Sequence, residues 1–233
     1  MSYINTCFKN IVHLLYPDIC AGCGSDLVSS RNLICDDCEN GIPVTGFHLY
    51  QDNPVEKIFR GRLPVVTASA YAYFSKDSAV QNILHNLKYR GNKEIGVKMG
   101  RMMGRALKSC EWNNDLFAVI PLPLHFAKEK KRGYNQAEMI CNGISCEMNI
   151  PVLTDVIERR KNTATQTRKS RVERWNNIES KFDVRREAAI INKHVLLIDD
   201  VITTGATLEA CGSELLKTEG LRLSIAAFAY TLL

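Results

Sequence analysis

The pattern of apolar and polar positions predicts alternating strands and helices over most of the 233-residue chain. Unbroken apolar or β-branched runs indicate strands, and apolar residues recurring every three to four positions indicate helices. The predicted strands cover 65–74, 116–122, 152–156, 195–200 and 223–232. The predicted helices are a pair between 80 and 107 that is interrupted near Gly91, then 135–148 and 207–218. Strands alternating with helices predict an α/β fold built on a parallel sheet.

The segment 195–207, VLLIDDVITTGAT, has the most informative local pattern. Its first four residues are apolar without alternation, which indicates a parallel strand buried on both faces. Asp199 and Asp200 follow, and then a turn and helix start made of Thr203, Thr204, Gly205, Ala206 and Thr207. Such a helix start binds anions, and open α/β sheets bind ligands where their strands end. A buried strand followed by an ordinary capped helix is the alternative, but paired acids ending a buried strand require a reason.

Composition indicates a globular chain with one main core and room for a small appendage. The chain is 45% hydrophobic and 24% charged. No apolar run approaches the roughly 20 residues of a membrane-spanning helix. The N-terminal apolar patch, 11–16, lacks the basic start and cleavage site of a secretion signal. A cytoplasmic protein without a membrane-spanning segment is therefore predicted.

The formal net charge of +5 is concentrated in two segments. The segment 158–174 holds seven Lys or Arg against two Glu, and 128–132 holds four against one. The rest of the chain is slightly acidic. Segregated positive charge favours an anionic partner, although a solvated loop without a partner stays open.

Four of the nine cysteines form two CxxC pairs, Cys20/Cys23 and Cys35/Cys38. Two such pairs supply four thiolates to one tetrahedral Zn²⁺, and a site with four cysteine ligands is structural because no position stays open. A redox pair is the alternative. Residues 1–45 are too few to hold a core without the metal. Losing the metal is therefore expected to unfold 1–45 and to leave the rest folded.

The run of apolar residues, two acids, two variable positions and Thr-Gly-x-Thr resembles the ribose-5-phosphate loop of type I phosphoribosyltransferases. The resemblance implies that Asp199 and Asp200 face the ribose hydroxyls of phosphoribosyl pyrophosphate (PRPP). It implies that the loop Thr203–Thr207 holds the 5′-phosphate.

Further segments narrow the resemblance to the ComF family of competence-associated proteins. They are the double CxxC, Leu87–Gly91, Pro121–His125, Arg132–Ala137, and, in the basic segment, Thr165–Thr167 and Arg171–Asn177. The family joins a zinc-binding module to a type I phosphoribosyltransferase domain, which implies a division here into 1–45 and 60–233. Its members are implicated in handling single-stranded DNA during natural transformation.

A bound pyrophosphate needs backbone N–H groups, a cation and usually Mg²⁺. The turn Pro121–His125 follows a predicted strand, so His125 and Arg132 are candidate contacts to the pyrophosphate. A stiff loop without a ligand stays open for that turn. Asn135 either binds an anion or caps its helix. The basic segment is either a mobile cover over the site, or in part a hairpin or a binding arm.

Two functions from different classes fit these features. As an enzyme, the chain would transfer ribose 5-phosphate from PRPP to a nucleobase. As a binding module, it would retain the PRPP site and handle single-stranded DNA, with Tyr134 or Trp175 stacking on bases. We favour the second, with competence or recombination proteins as candidate partners, because no segment defines a pocket for a base.

Overall fold

A four-stranded parallel sheet forms the centre of the molecule in a computed structural model that describes residues 19–26, 33–110, 114–160 and 181–232. Its strands are β1 (Ala68–Phe74), β2 (Leu116–Pro121), β5 (His194–Ile202) and β6 (Arg222–Thr231). The order across the sheet is β1-β6-β5-β2, and every pairing is parallel. The predicted α/β class is therefore confirmed. The strand predicted over 152–156 is instead a single parallel bridge from Val152 to Val119.

A short antiparallel hairpin pairs β3 (Ile157–Arg159) with β4 (Phe182–Val184). It brackets the basic segment, most of which lies outside the described residues. The helices are α1 (Asp36–Asn40), α2 (Pro54–Phe59), α3 (Ala79–Tyr89), α4 (Lys93–Lys108), α5 (Phe126–Arg132), α6 (Gln136–Met148) and α7 (Ala206–Leu215).

Both faces of the sheet are covered, which explains the unbroken apolar run of β5. Leu196 and Ile198 pack in one apolar cluster with α3, α4 and α6. Val195 and Leu197 point the other way, into a second cluster with α2, α7 and the hairpin. The apolar run ends at Asp199, and residues 199–201 are only partly buried before Ile202 is buried again.

Helices α4 and α6 touch backbone to backbone. A Cβ on Gly100 would lie 2.0 Å from the Ile140 carbonyl oxygen, and one on Gly143 would lie 2.1 Å from the Val97 carbonyl oxygen. Only glycine leaves room at these two positions. The contact fixes α6 against α4, and with it the N-terminal end of α6 beside the end of β2.

Residues 19–26 and 33–45, which we call the cysteine module, pack directly on this framework. The Thr45 N–H donates to the Tyr71 carbonyl, and the Tyr73 N–H to the Pro43 carbonyl, each at 2.9 Å. The module's apolar residues lie in the same cluster as α3 and α4; they are Cys20, Ala21, Ile34, Cys38 and Ile42. The division into 1–45 and 60–233 stays a prediction.

Candidate functional site

The phosphate loop, Thr203–Thr207, connects β5 to the first turn of α7. Gly205 is the N-cap of α7 with a φ of 72°, a left-handed conformation that favours glycine. A Cβ there would also lie 2.7 Å from Ile58 Cγ2. Conformation and close approach therefore both require the glycine of the motif.

Side chains around the loop fix its path. The Thr204 hydroxyl accepts from the Ala206 N–H at 3.5 Å, and Arg62 donates to the Thr204 carbonyl at 3.3 Å while pairing with Glu209. Four of the five loop residues are exposed to solvent: Thr203, Thr204, Ala206 and Thr207. These contacts hold the loop backbone in place while its side chains remain accessible to solvent. The role of the loop as a phosphate site stays a prediction.

The two acids are consecutive, partly buried residues near the end of β5. The Asp199 carboxylate accepts from the backbone N–H of Asp200 at 2.7 Å. Burial, and after it the charge of Asp200, raise the pKa of Asp199 to about 7, while Lys88 and Lys128 act in the opposite direction. Such a shift is common at functional sites, where a carboxyl group is kept in a costly environment.

Charged side chains from four elements meet in one pocket beside the acids, and we call it the cationic pocket. Lys88 Nζ lies 3.0 Å from Asp200 Oδ2, so Asp200 and Lys88 form an ion pair. The charged residues that line the pocket are Lys88, Lys128, Arg132, Arg159, Asp199 and Asp200. Four cations against two acids make the pocket suited to an anion. Thr207 lines it as well, which joins it to the phosphate loop.

Arg132 and Gln136 form a polar pair on the wall of the cationic pocket. The Arg132 guanidinium donates to Gln136 Oε1 at 2.6 Å and lies 5.4 Å from the centre of the Tyr89 ring. Because a guanidinium only donates, this bond fixes which end of the amide faces Arg132. Gln136 is 2% exposed, and its Nε2 has no hydrogen-bond partner among the described residues.

His125 and Asn135 occur as helix caps. His125 Nδ1 accepts from the Ala127 N–H at 3.3 Å and begins α5, a helix that the sequence pattern does not predict. Asn135 accepts from the Ala137 N–H and donates to the Leu122 carbonyl. Of the two alternatives for Asn135, helix capping is the one seen in this structure. A contact from His125 to pyrophosphate stays a prediction. Helix α5 brings Lys128 and Arg132, but not His125, to the lining of the cationic pocket.

Sequence reasoning assigns no role to four residues of the pocket wall: Lys88, Lys128, Gln136 and Arg159. Lys88 and Gln136 fall inside the quoted motifs, and Lys128 and Arg159 inside the basic segments. The motifs and the charge pattern therefore contain these residues, but only the fold brings them to one place.

The four cysteines of the CxxC pairs converge. The Sγ atoms of Cys20, Cys23, Cys35 and Cys38 all lie within 4.8 Å of one another. Cys23 Sγ and Cys35 Sγ are 3.8 Å apart, which matches the edge of about 3.8 Å of a tetrahedron with Zn–S bonds of about 2.3 Å. Backbone N–H groups of Gly22 and Cys35 donate to Cys20 Sγ at 3.3 Å. Hydrogen bonds with the hydroxyl and then the backbone of Ser25 are the main causes that lower the pKa of Cys23 to about 6. The cluster has the donors and the spacing to hold a metal ion.

Part of the predicted nucleic-acid surface lies outside the described residues. That part is 161–180, which includes Arg168, Lys169, Arg171 and Trp175. Tyr134 is 6% exposed, and its hydroxyl donates to the Leu87 carbonyl. In this structure Tyr134 is therefore a packing residue and offers no free ring face to a base. No helix in the described part of the chain has the length and apolarity needed to span a membrane.

Comparison with known proteins agrees with the site's architecture. Residues 106–231 match the phosphoribosyl transferase domain family. Competence protein F of Haemophilus influenzae is 31% identical over 59% of this chain and 62% of its own length. The chain therefore spans less than two thirds of that relative.

Two other relatives align over almost the whole chain. The DNA utilization protein YhgH of Shigella flexneri is 26% identical over 92% of this chain and 91% of its own length. Competence protein ComFC of Bacillus subtilis is 28% identical over 92% of this chain and 85% of its own length. Both alignments extend well beyond residues 106–231, the part matched by the domain family. The chain thus belongs to the phosphoribosyl transferase domain family and, within it, to the ComF family that its motifs indicate.

Proposed function

We propose that the cationic pocket and the phosphate loop together bind PRPP. The observation that carries the proposal is the meeting of the Asp199–Asp200 pair with four cationic side chains beside the exposed loop. The acids accept hydrogen bonds from the ribose hydroxyls, and the loop N–H groups bind the 5′-phosphate. Lys128 and Arg132, which line the pocket, neutralise the pyrophosphate in this proposal.

The residues present also fit the Mg²⁺ that accompanies a pyrophosphate. Mg²⁺ takes one or two carboxylates and completes its shell with water and phosphate oxygens. Asp199 and Asp200 provide those carboxylates, and Mg²⁺ supplies charge neutralisation of the pyrophosphate when it is bound. Among the described residues, the buried Nε2 of Gln136 on the pocket wall has no partner, and this supports PRPP as the ligand because a phosphate oxygen would accept from that donor.

A second function, transfer of ribose 5-phosphate to a nucleobase, is favoured by one observation. If PRPP binds as proposed, the carboxyl group of Asp199, with a pKa of about 7, would lie near the ribose, where positive charge would develop. When ionised, it would stabilise that charge, and the cations of the pocket would stabilise the leaving pyrophosphate.

We also propose that the four-cysteine cluster binds one structural Zn²⁺ and that the chain handles single-stranded DNA. The names of the relatives, competence protein and DNA utilization protein, support the second point. So does the charge of α5, where exposed Lys130 and Lys131 lie outside the lining of the cationic pocket. Competence or recombination proteins are the partners that such a role implies.

Isothermal titration calorimetry with PRPP and Mg²⁺ tests the central proposal. Asp200→Asn and Thr204→Val should each weaken PRPP binding by roughly tenfold or more, since each removes a hydrogen bond to a charged ligand. Asp77→Asn, an exposed position in the turn before α3, is the matched control and should bind like wild type. Equal affinity in all four proteins would refute the site.

Pyrophosphate release in the presence of a panel of nucleobases separates the two functions. Release that depends on one base, and that is lost in Asp199→Asn, would favour the transferase. Binding of PRPP without release would favour the binding module.

A further inference from the structure

We propose that helix α3 couples the cysteine cluster to the cationic pocket, so that metal binding at the cysteines strengthens PRPP binding. Asn82 and Asn86 are the positioning residues of this coupling. The inference rests on the proposed function, because it concerns the affinity of the same pocket for the same ligand.

One side of α3 is hydrogen-bonded to the first CxxC turn. Asn82 Nδ2 donates to the Gly22 carbonyl at 2.7 Å, and Asn86 Nδ2 donates to the Ala21 carbonyl at 3.0 Å. Ala21 and Gly22 are the two residues between Cys20 and Cys23. The turn that would hold the metal therefore also holds the helix.

The last turn of α3 forms part of the pocket wall. Lys88 Nζ lies 3.0 Å from Asp200 Oδ2. The Leu87 carbonyl accepts from the hydroxyl of Tyr134, one residue before the N-cap of α6. The Tyr89 ring lies against the guanidinium of Arg132. Three consecutive residues of α3 thus contact the pocket or its supports.

A single helix of 11 residues connects the two ends, so its position is shared by both sites. Leu84 and Leu87 of α3 are buried, as are Cys20 and Cys38, in one apolar cluster. Without a metal, the four thiol groups have no common ligand, and a CxxC turn loses its fixed geometry. Asn82 and Asn86 then lose their acceptors, and the placement of Lys88 is no longer fixed from that side.

Coupling of this kind is reciprocal and is typically worth about 5- to 150-fold in affinity. If metal at the cysteines strengthens PRPP binding, PRPP must strengthen metal binding by the same factor. Two ligands of the folded state are also linked through global unfolding, so coupling through α3 is distinguished by a variant that stays folded and zinc-loaded but loses the link.

The experiment compares the wild-type protein loaded with zinc, the Asn82→Ala/Asn86→Ala double variant, and Ser78→Ala. Ser78 is the N-cap of the same helix, and its hydroxyl accepts from the Gln81 N–H without touching the cysteine turn. Zinc content is measured first, and all three proteins should hold one ion. Titration with PRPP and Mg²⁺ should then show about 5- to 10-fold weaker binding in the double variant only.

The second readout is the rate of zinc transfer to a chelator, with and without PRPP. PRPP should slow the transfer several-fold in wild type and in Ser78→Ala, and should have no effect in the double variant. The coupling would be overturned if the double variant bound PRPP as tightly as wild type and if PRPP slowed its zinc transfer to the chelator as much as in wild type. The proposed function would then still stand. Failure of wild type to bind PRPP would instead overturn the proposed function and the coupling together.

Discussion

At the residue scale, Asp199 is a site carboxyl group whose environment differs strongly from that of a free side chain. Its carboxyl group lies at the edge of the core beside a second acid, and its pKa is raised from 3.8 to about 7. The folded protein therefore holds this proton to a higher pH than the unfolded chain. Stability is consequently lost as the pH rises from about 4 to about 7, because folding increasingly requires a buried charge.

Asp199→Asn should remove this loss and stabilise the protein at pH 8. We expect a gain of about 2 kcal/mol in the free energy of unfolding, below the limit set by about 1.4 kcal/mol per unit of pKa shift. The gain should shrink as the pH falls to 5, which urea denaturation at several pH values measures. Asp77→Asn serves as control and should show no such pH dependence. A gain that is constant across the pH range would contradict the burial of Asp199.

At the element scale, the contact between α4 and α6 leaves no room for a side chain on Gly100 or Gly143. Gly100→Ala should destabilise the protein by roughly 3 kcal/mol, since overpacking outweighs the gain of about 1 kcal/mol in helix propensity. Gly104→Ala should cost less, because the nearest atom to its Cβ is in the Glu147 side chain at 2.9 Å. Thermal and chemical denaturation of the two variants would check that order; equal stability would contradict the close approach.

The elements that the sequence predicts well are those with long apolar patterns. The predicted bounds of β5, α3, α4 and α6 lie within a few residues of those in the structure, because burial on a fixed period determines them. Helix α5 cannot be predicted in this way because its sequence, FAKEKKR, has no apolar face, and because histidine is an unusual N-cap. A hairpin is one of the alternatives that the sequence leaves open for the basic segment, but its strands cannot be located from the pattern because β3 and β4 are short and pair across more than 20 residues.

The same distinction applies to the site. The acids and the phosphate loop form one continuous segment, so their pattern is visible in the sequence. Lys88, Lys128 and Arg159 come from α3, α5 and β3, and only tertiary structure brings them together. The four-cysteine cluster is predictable because the spacing of CxxC pairs itself reflects the geometry of a shared ligand.

At the scale of the whole molecule, the cysteine module and the sheet share one apolar cluster. The sequence suggests that 1–45 would unfold alone after metal loss, but this shared core predicts a cooperative effect. Purified protein should contain one zinc per chain by elemental analysis. Chelation, or Cys23→Ser, should lower the melting temperature of the entire chain, as followed by near-UV circular dichroism and tyrosine absorbance. A melting curve with an unshifted main transition would support an independent module instead.

Positive charge on α5 belongs to the described part of the proposed DNA surface. Lys130→Ala/Lys131→Ala should weaken binding to single-stranded DNA at low salt. It should also flatten the slope of log K against log salt by about 1.4, that is, about 0.7 per phosphate contact. Lys57→Ala/Lys217→Ala, which removes the same charge elsewhere, should leave the slope unchanged in filter-binding assays. Absence of any single-strand binding at low salt would remove the DNA proposal.

The pairing of residues 43–45 with β1 has a consequence for solubility. β1 lies at the end of the sheet, and an uncovered outer strand presents free N–H and C=O groups to other chains. On the side of β1 opposite β6, the Tyr71 carbonyl accepts from the Thr45 N–H, and the Tyr73 N–H donates to the Pro43 carbonyl. A chain truncated before residue 46 would expose this edge, together with apolar residues of α3, and would self-associate into aggregates. The cysteine module thus covers the edge strand β1 and prevents other chains from pairing with it, whether or not the module binds a metal.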